Sequence, residues 1–214
     1  MHTIHSKFGV SEPQAGHIAH YLKTREDAYY HQRLDPSWNG EHLVKGREPG
    51  AGAIILGSND YLALSKHPQI VEAQVAELRR HGRGVVMSDV FRTGANPLTE
   101  FERGIADLLG TEDAVLCQSG WCANVGLIQT VAGEGTPVYV DMFAHMSLWE
   151  GIHAAGATAI PFRHNSADSL AHLIERNGPG YVLLDAVYST SGEIAPLAKL
   201  CDVAERGGCA LIVD

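Results

Sequence analysis

No Cys-x-x-Cys pair occurs among the four cysteines, at 117, 122, 201 and 209, which argues against a zinc knuckle or a redox dithiol. Three of the four lie inside apolar runs, and the expectation is reduced core thiols. A Gly-x-Gly-x-x-Gly fingerprint is missing, so a dinucleotide site is disfavoured. Positive charge is short: 16 Lys and Arg stand against 25 Asp and Glu, a formal net charge of −9. Such a chain carries no electrostatic footprint for nucleic acid or an anionic membrane. Residues 1–10 lack the basic-then-apolar pattern of a secretory signal. The uncharged stretch 114–133 contains Gln118, Ser119, Asn124 and Gln129, and reads as strand, turn and helix instead of a membrane span. The 12 histidines are scattered, and no metal site is expected. Lysine is scarce, with five residues at 7, 23, 45, 66 and 199.

What is present is a globular composition, 45% apolar and 19% charged, with 23 glycines that fall between regular segments. Ser11-Glu12-Pro13 opens a helix with Ile18, Leu22, Arg25 and Tyr29 at helical spacing. Residues 35–52 read as a linker and 53–56 as a short strand. A helix follows over 69–80, and Asn96-Pro97 caps another that Gly110 ends. From there short apolar runs alternate with helices. Strands are expected at 114–117, 138–141, 158–162, 181–184 and 209–213, and helices at about 121–131 and 145–155, after Ser166 and after Pro196. The pattern predicts βαβ units: an α/β fold with a mostly parallel sheet and helices on both faces.

Function in such a sheet gathers beyond the carboxyl ends of the strands. After Cys117, Ser119-Gly120-Trp121 opens a helix; this is either an ordinary turn or an anion cradle of free N–H groups. His145 follows the strand at 138–141 and is either structural or placed to transfer a proton or stack on a planar ligand. Ser189 follows the strand at 181–184 as a turn serine or a hydrogen-bond donor. Asp214 closes an apolar strand, which is costly unless a cation pairs with it. A cofactor with a phosphate, a flat ring and a basic ring nitrogen would use all four features, and pyridoxal 5′-phosphate fits that description.

The same residues carry a resemblance. Asn59-Asp60-Tyr61-Leu62-Ala63-Leu64 with His67-Pro68, Ser119-Gly120-Trp121 through Asn124, His145-Met146-Ser147, His164-Asn165, Tyr188-Ser189-Thr190-Ser191-Gly192 with Ala195-Pro196-Leu197, and Leu211-Ile212-Val213-Asp214 resemble the motif set of the α-oxoamine synthases. These are fold-type-I pyridoxal-phosphate enzymes that condense an amino acid with an acyl-CoA. Gln118 through Trp121, Phe143 through Gly151, Gly178-Pro179-Gly180 and Tyr188-Ser189-Thr190 are similar to the CqsA-type synthases of α-hydroxyketone quorum-sensing autoinducers. Arg92 through Pro97 departs from that branch.

The resemblance implies the following roles. Ser119, Gly120 and Trp121 hold the cofactor phosphate, His145 stacks on the pyridine ring, Ser189 lies near the ring hydroxyl, and Asp214 pairs with the pyridinium nitrogen. Asn59 lies at the substrate mouth. Residues 1–52 form an N-terminal helix and linker, and 53–214 the first part of the cofactor-binding large domain. In the family the Schiff-base lysine lies beyond the Val-Asp-Glu-x-His element, and none of the five lysines here follows a strand end in a suitable context. The chain is therefore expected to be an N-terminal fragment that forms no internal aldimine alone. For the complete protein the expectation is a cytoplasmic homodimer acting on a medium-chain fatty acyl-CoA and a small or S-adenosylmethionine-like amino acid. The alternatives are an 8-amino-7-oxononanoate synthase or glycine C-acetyltransferase type, an aminotransferase, and, more distantly, a non-catalytic binding protein of the same fold.

Overall fold

The computed structural model describes residues 15–29, 31, 52, 54, 59–82, 91, 94 and 96–214. The chain divides into two compact units, residues 1–86 and 87–214. In the first, helix α1 spans Ala15–Ala28 and helix α2 spans Pro68–His81. Pro68 sits in the first turn of α2, where its missing N–H costs nothing, and the Gly82 N–H closes the helix on the Leu78 carbonyl. Before α2 the Asp60 carboxylate accepts the Leu64 N–H at 2.9 Å and gathers a tight turn. The expected helix start at Ser11-Glu12-Pro13, nearly all of the expected linker at 35–52 and most of the expected strand at 53–56 lie outside the described residues.

The second unit opens with α3 (Pro97–Leu109). Asn96 accepts the Leu98 and Thr99 N–H groups, and the Thr99 hydroxyl faces the Asn96 N–H, a reciprocal cap. Gly110 ends the helix in left-handed backbone (φ 69°). Asn96→Ala should therefore cost about 1 kcal/mol, read as a shift of the denaturation midpoint. Then come α4 (Gly120–Val131), β1 (Pro137–Asp141), α5 (Met146–Ala154), β2 (Thr158–Phe162), α6 (Ala167–Asn177), β3 (Tyr181–Leu184), α7 (Leu197–Arg206) and β4 (Ala210–Val213). These agree with the sequence expectations to within a residue or two, because Gly, Pro and Ser punctuate each boundary.

The four strands pair in parallel in the order β2-β1-β3-β4. β1 and β3 lie inside the sheet and are apolar on both faces. Tyr139, Val182 and Leu184 pack with Leu170, Ile174, Leu200 and Ala204 of α6 and α7. Val138, Val140 and Leu183 pack on the other face with Ile128 of α4 and with Leu148 and Ile152 of α5. From β1 the chain crosses outward to β2 through α5, whereas from β3 it crosses the opposite way to β4 through α7. Neighbouring strands whose connections diverge open a crevice at their carboxyl ends, so this topology places the site between β1 and β3.

Two expectations are corrected. Residues 114–117 are not a strand: Val115 is 79% exposed, and the Leu116 N–H donates to the Glu102 side chain at 2.8 Å instead of to a neighbouring strand. The cysteines are free; Cys117 and Cys122 are exposed and Cys201 half-buried, so these three are not core thiols, whereas the half-buried Cys209 packs against the core. No helix among the described residues is long and apolar enough to cross a membrane.

Candidate active site

Three of the strands run into an aspartate at their carboxyl ends: Asp141, Asp185 and Asp214. Asp214 is tied to the strand beside it, its N–H donating to the Leu184 carbonyl at 2.9 Å and its carbonyl accepting the Ala186 N–H at 2.8 Å. Its carboxylate is about one-third exposed and reaches within 4.0 Å of the His145 Nδ1. Asp185 is buried and accepts the His145 N–H at 2.9 Å. Burial pushes the Asp185 carboxyl up; the His145 N–H opposes that shift and the charge of Asp214 adds to it. Two strand ends thus position one imidazole.

His145 caps α5 and is oriented from beneath as well. The Ser147 hydroxyl lies 2.7 Å from Nδ1, and the Ser147 N–H donates to the same nitrogen at 3.3 Å. The hydroxyl in turn accepts the Asn124 amide at 2.8 Å, and both Asn124 and Ser147 are buried. A nitrogen facing two donors is the bare one, so this relay selects the tautomer with its proton on Nε2. Trp121 meets the ring edge-on, with centroids 6.0 Å apart and planes at 78°.

Trp121 belongs to the first turn of α4. Ser119 caps that helix, its Oγ accepting the Cys122 N–H at 3.2 Å and its carbonyl the Ala123 N–H at 3.0 Å. The amides of Gly120 and Trp121 have no partner among the described residues, and a Cβ built at Gly120 would meet open space. Two free amides at the positive end of a twelve-residue helix form an anion cradle. α4 is drawn close to α5 at Gly151, where an added Cβ would lie 2.6 Å from Ile128 Cδ1. The cradle and the imidazole thus sit on packed, adjoining helices.

Ser189 is exposed on the segment after β3, next to the buried Tyr188. Burial and the nearby Asp141 charge push the Tyr188 phenol far up. The structure brings Ser119, Gly120, Trp121, His145, Ser189 and Asp214 to the carboxyl side of one parallel unit. Asn59 is exposed at the head of the Asp60 turn in the first unit. Spacing alone does not single out Asp185, Asn124 or Ser147, although the last two belong to the motifs that carry the resemblance. The signal for Asp185 is the one that marks Asp214, a carboxylate closing an apolar strand. Chemically the rim can bind an anion, face a flat ring with His145 and pair a cation with Asp214. Among the described residues no group of His, Cys, Asp and Glu is arranged to hold a metal ion.

Residues 51–214 match the family model of aminotransferase class I and II, to which this chain belongs. Within that family the similar curated proteins are α-oxoamine synthases. The chain is 44% identical over 203 residues to a CAI-1 autoinducer synthase of Vibrio campbellii, covering 95% of this chain and 52% of that protein. It is 36% identical over 203 residues to a putative 8-amino-7-oxononanoate synthase of Caulobacter sp., covering 92% and 52%. A solved serine palmitoyltransferase with a PLP internal aldimine superposes with a TM-score of 0.79 at 28% identity, over 90% of this chain and 52% of that one. A serine palmitoyltransferase variant from S. paucimobilis with a bound PLP–myriocin aldimine gives a TM-score of 0.71 at 32% identity, over 75% and 41%. The fold is that of the fold-type-I pyridoxal-phosphate enzymes. The chain spans about half the length of the curated relatives it matches.

Proposed function

We propose that the protein is a pyridoxal-phosphate-dependent C-acyltransferase that joins a fatty acyl-CoA to an amino acid, releases CoA and the amino acid's carboxylate as CO2, and yields an aminoketone of the autoinducer type. The observation that carries this reading is the gathering of free amides, an oriented imidazole and a carboxylate on the carboxyl side of one parallel sheet. The 44% identity to an autoinducer synthase supports the branch. When bound, the cofactor supplies an electron sink for the carbanion that attacks the thioester.

The chain's own residues do the rest. The Gly120 and Trp121 amides, with Ser119 setting the turn, bind the phosphate. His145 faces the ring, held by Asp185 from the backbone side and by Ser147 and Asn124 through Nδ1. Asp214 favours the protonated ring nitrogen, which strengthens the sink. Ser189 reaches the ring hydroxyl. The five lysines of this chain supply no covalent anchor, and the activity is proposed for the whole protein, as a cytoplasmic homodimer.

The test is release of the CoA thiol by the intact protein with pyridoxal phosphate, a medium-chain acyl-CoA and a panel of small amino acids. Thiol release that needs an amino acid supports the reading. Conversion of the amino acid to a keto acid with no thiol released would make it an aminotransferase instead. The 36% identity to a putative 8-amino-7-oxononanoate synthase keeps that branch as the second reading, marked by formation of 8-amino-7-oxononanoate.

A further inference from the structure

A second cluster lies beside the site and takes no part in the chemistry above. Asp141, at the end of β1, is fully buried. Its Oδ1 accepts the Phe143 N–H at 2.8 Å and faces His164 Nδ1 at 2.8 Å, while Oδ2 accepts the Asn165 N–H at 2.8 Å. Asn165 reaches this position with φ at 55°, a left-handed conformation that asparagine tolerates. The other ring nitrogen, Nε2, lies 3.0 Å from Glu193 Oε2. A carboxylate only accepts, and a neutral imidazole donates from one nitrogen alone. A ring held between two carboxylates therefore donates from both and is an imidazolium. The Asn165 amide nitrogen sits 3.1 Å from Nε2, and its oxygen is buried with no partner among the described residues. Turning that amide over offers the oxygen to Nε2–H, the orientation a doubly donating ring demands. Phe143 packs on the ring at 4.6 Å between centroids, and Tyr188 meets it edge-on at 4.4 Å.

Glu193 and Tyr188 belong to one small hairpin. The Tyr188 N–H donates to the Glu193 carbonyl at 2.9 Å, the Gly192 N–H to the Tyr188 carbonyl at 2.7 Å, and the Ala195 N–H to the Ala186 carbonyl at 3.0 Å. Val187 pairs antiparallel with Ile194. Ser189 lies at the tip, and the root is bonded to Asp214 through Ala186.

We propose that His164 is a positioning residue which, as an imidazolium bridging Asp141 and Glu193, locks the 186–195 hairpin onto the end of β1 and so fixes Ser189. The inference rests on the proposed function only for what Ser189 touches; the lock is a property of the chain itself. The titratable groups facing the ring are Asp141 from β1 and Glu193 and Tyr188 from the hairpin. Burial lowers the His164 pKa, but the hydrogen bonds and charges of Asp141 and Glu193 outweigh it and hold the pKa above the ordinary histidine value. A folded-state pKa above the unfolded one means that the lock is fully present below about pH 6.5. It is lost as pH rises through the raised pKa.

The test is amide hydrogen exchange and nitrogen-detected histidine NMR on the full chain without added cofactor. At pH 6 the His164 ring should show both nitrogens protonated. Exchange across 186–195, corrected for the intrinsic effect of pH, should accelerate about tenfold on the alkaline side. Glu193→Gln, an exposed and isosteric change, should abolish that step, with the hairpin exchanging fast already at pH 6 and the sheet unaffected. A neutral His164 tautomer at pH 6, or hairpin exchange indifferent to both pH and Glu193→Gln, would overturn the lock. Failure of the functional reading shows separately, as an intact lock in a protein that binds no pyridoxal phosphate.

Discussion

Asp214→Asn lowers turnover of the intact protein on the order of a hundredfold, the usual loss when one preorganised electrostatic group is removed. The side chain keeps its size, so any change is electronic. An amide at the end of β4 cannot favour the protonated ring nitrogen, and the sink weakens. That loss corresponds to about 2.7 kcal/mol of barrier. Asp185 lies on the same rim, but it is buried and committed to the His145 N–H at 2.9 Å, so it cannot take over. Steady-state thiol release together with the cofactor dissociation constant separates the parts. Turnover should fall by more than affinity, because the phosphate cradle at Gly120 and Trp121 is untouched. Wild-type turnover in this variant would remove Asp214 from the cofactor.

Gly180→Ala destabilises the protein by about 3 kcal/mol, at the upper end of overpacking costs. Gly180 sits just before β3, and a Cβ there would collide with the carbonyl oxygen of Pro137 at the start of β1. The obstacle is backbone, with no rotamer to turn aside. Relief requires β1 and β3 to part, and these are the two strands whose ends build the crevice. Gly126→Ala in α4 is the matched control. It meets nothing within 4 Å among the described residues and should gain up to about 1 kcal/mol, because alanine is the better helix former. Denaturant midpoints of the pair test this; equal midpoints would mean that the strands tolerate the contact.

How much of this was legible in the sequence follows from range. The boundaries of β1 to β4 and of the helices between them are local, set by Gly, Pro and capping Ser around short apolar runs, and they read well. Residues 114–117 fail because Ala-Val-Leu-Cys looks like a strand, whereas a strand exists only through a neighbour that pairs with it. Asp214 and His145 are legible as polar residues at apolar strand ends. Asp141 and Asp185 satisfy the same criterion, and applying it to every strand would have found them. The relay from Asn124 to Ser147 spans 23 positions and the bridge from His164 to Glu193 spans 29. Both depend on which helices and loops the crossovers bring together, which no local pattern encodes.

The most direct test of the central proposal is a crystal structure of the intact protein grown with pyridoxal 5′-phosphate. The reading predicts the phosphate on the Gly120 and Trp121 amides, the ring against His145 and its nitrogen within hydrogen-bond distance of the Asp214 carboxylate. A cofactor bound elsewhere, or a rim that stays empty at saturating pyridoxal phosphate, would contradict it.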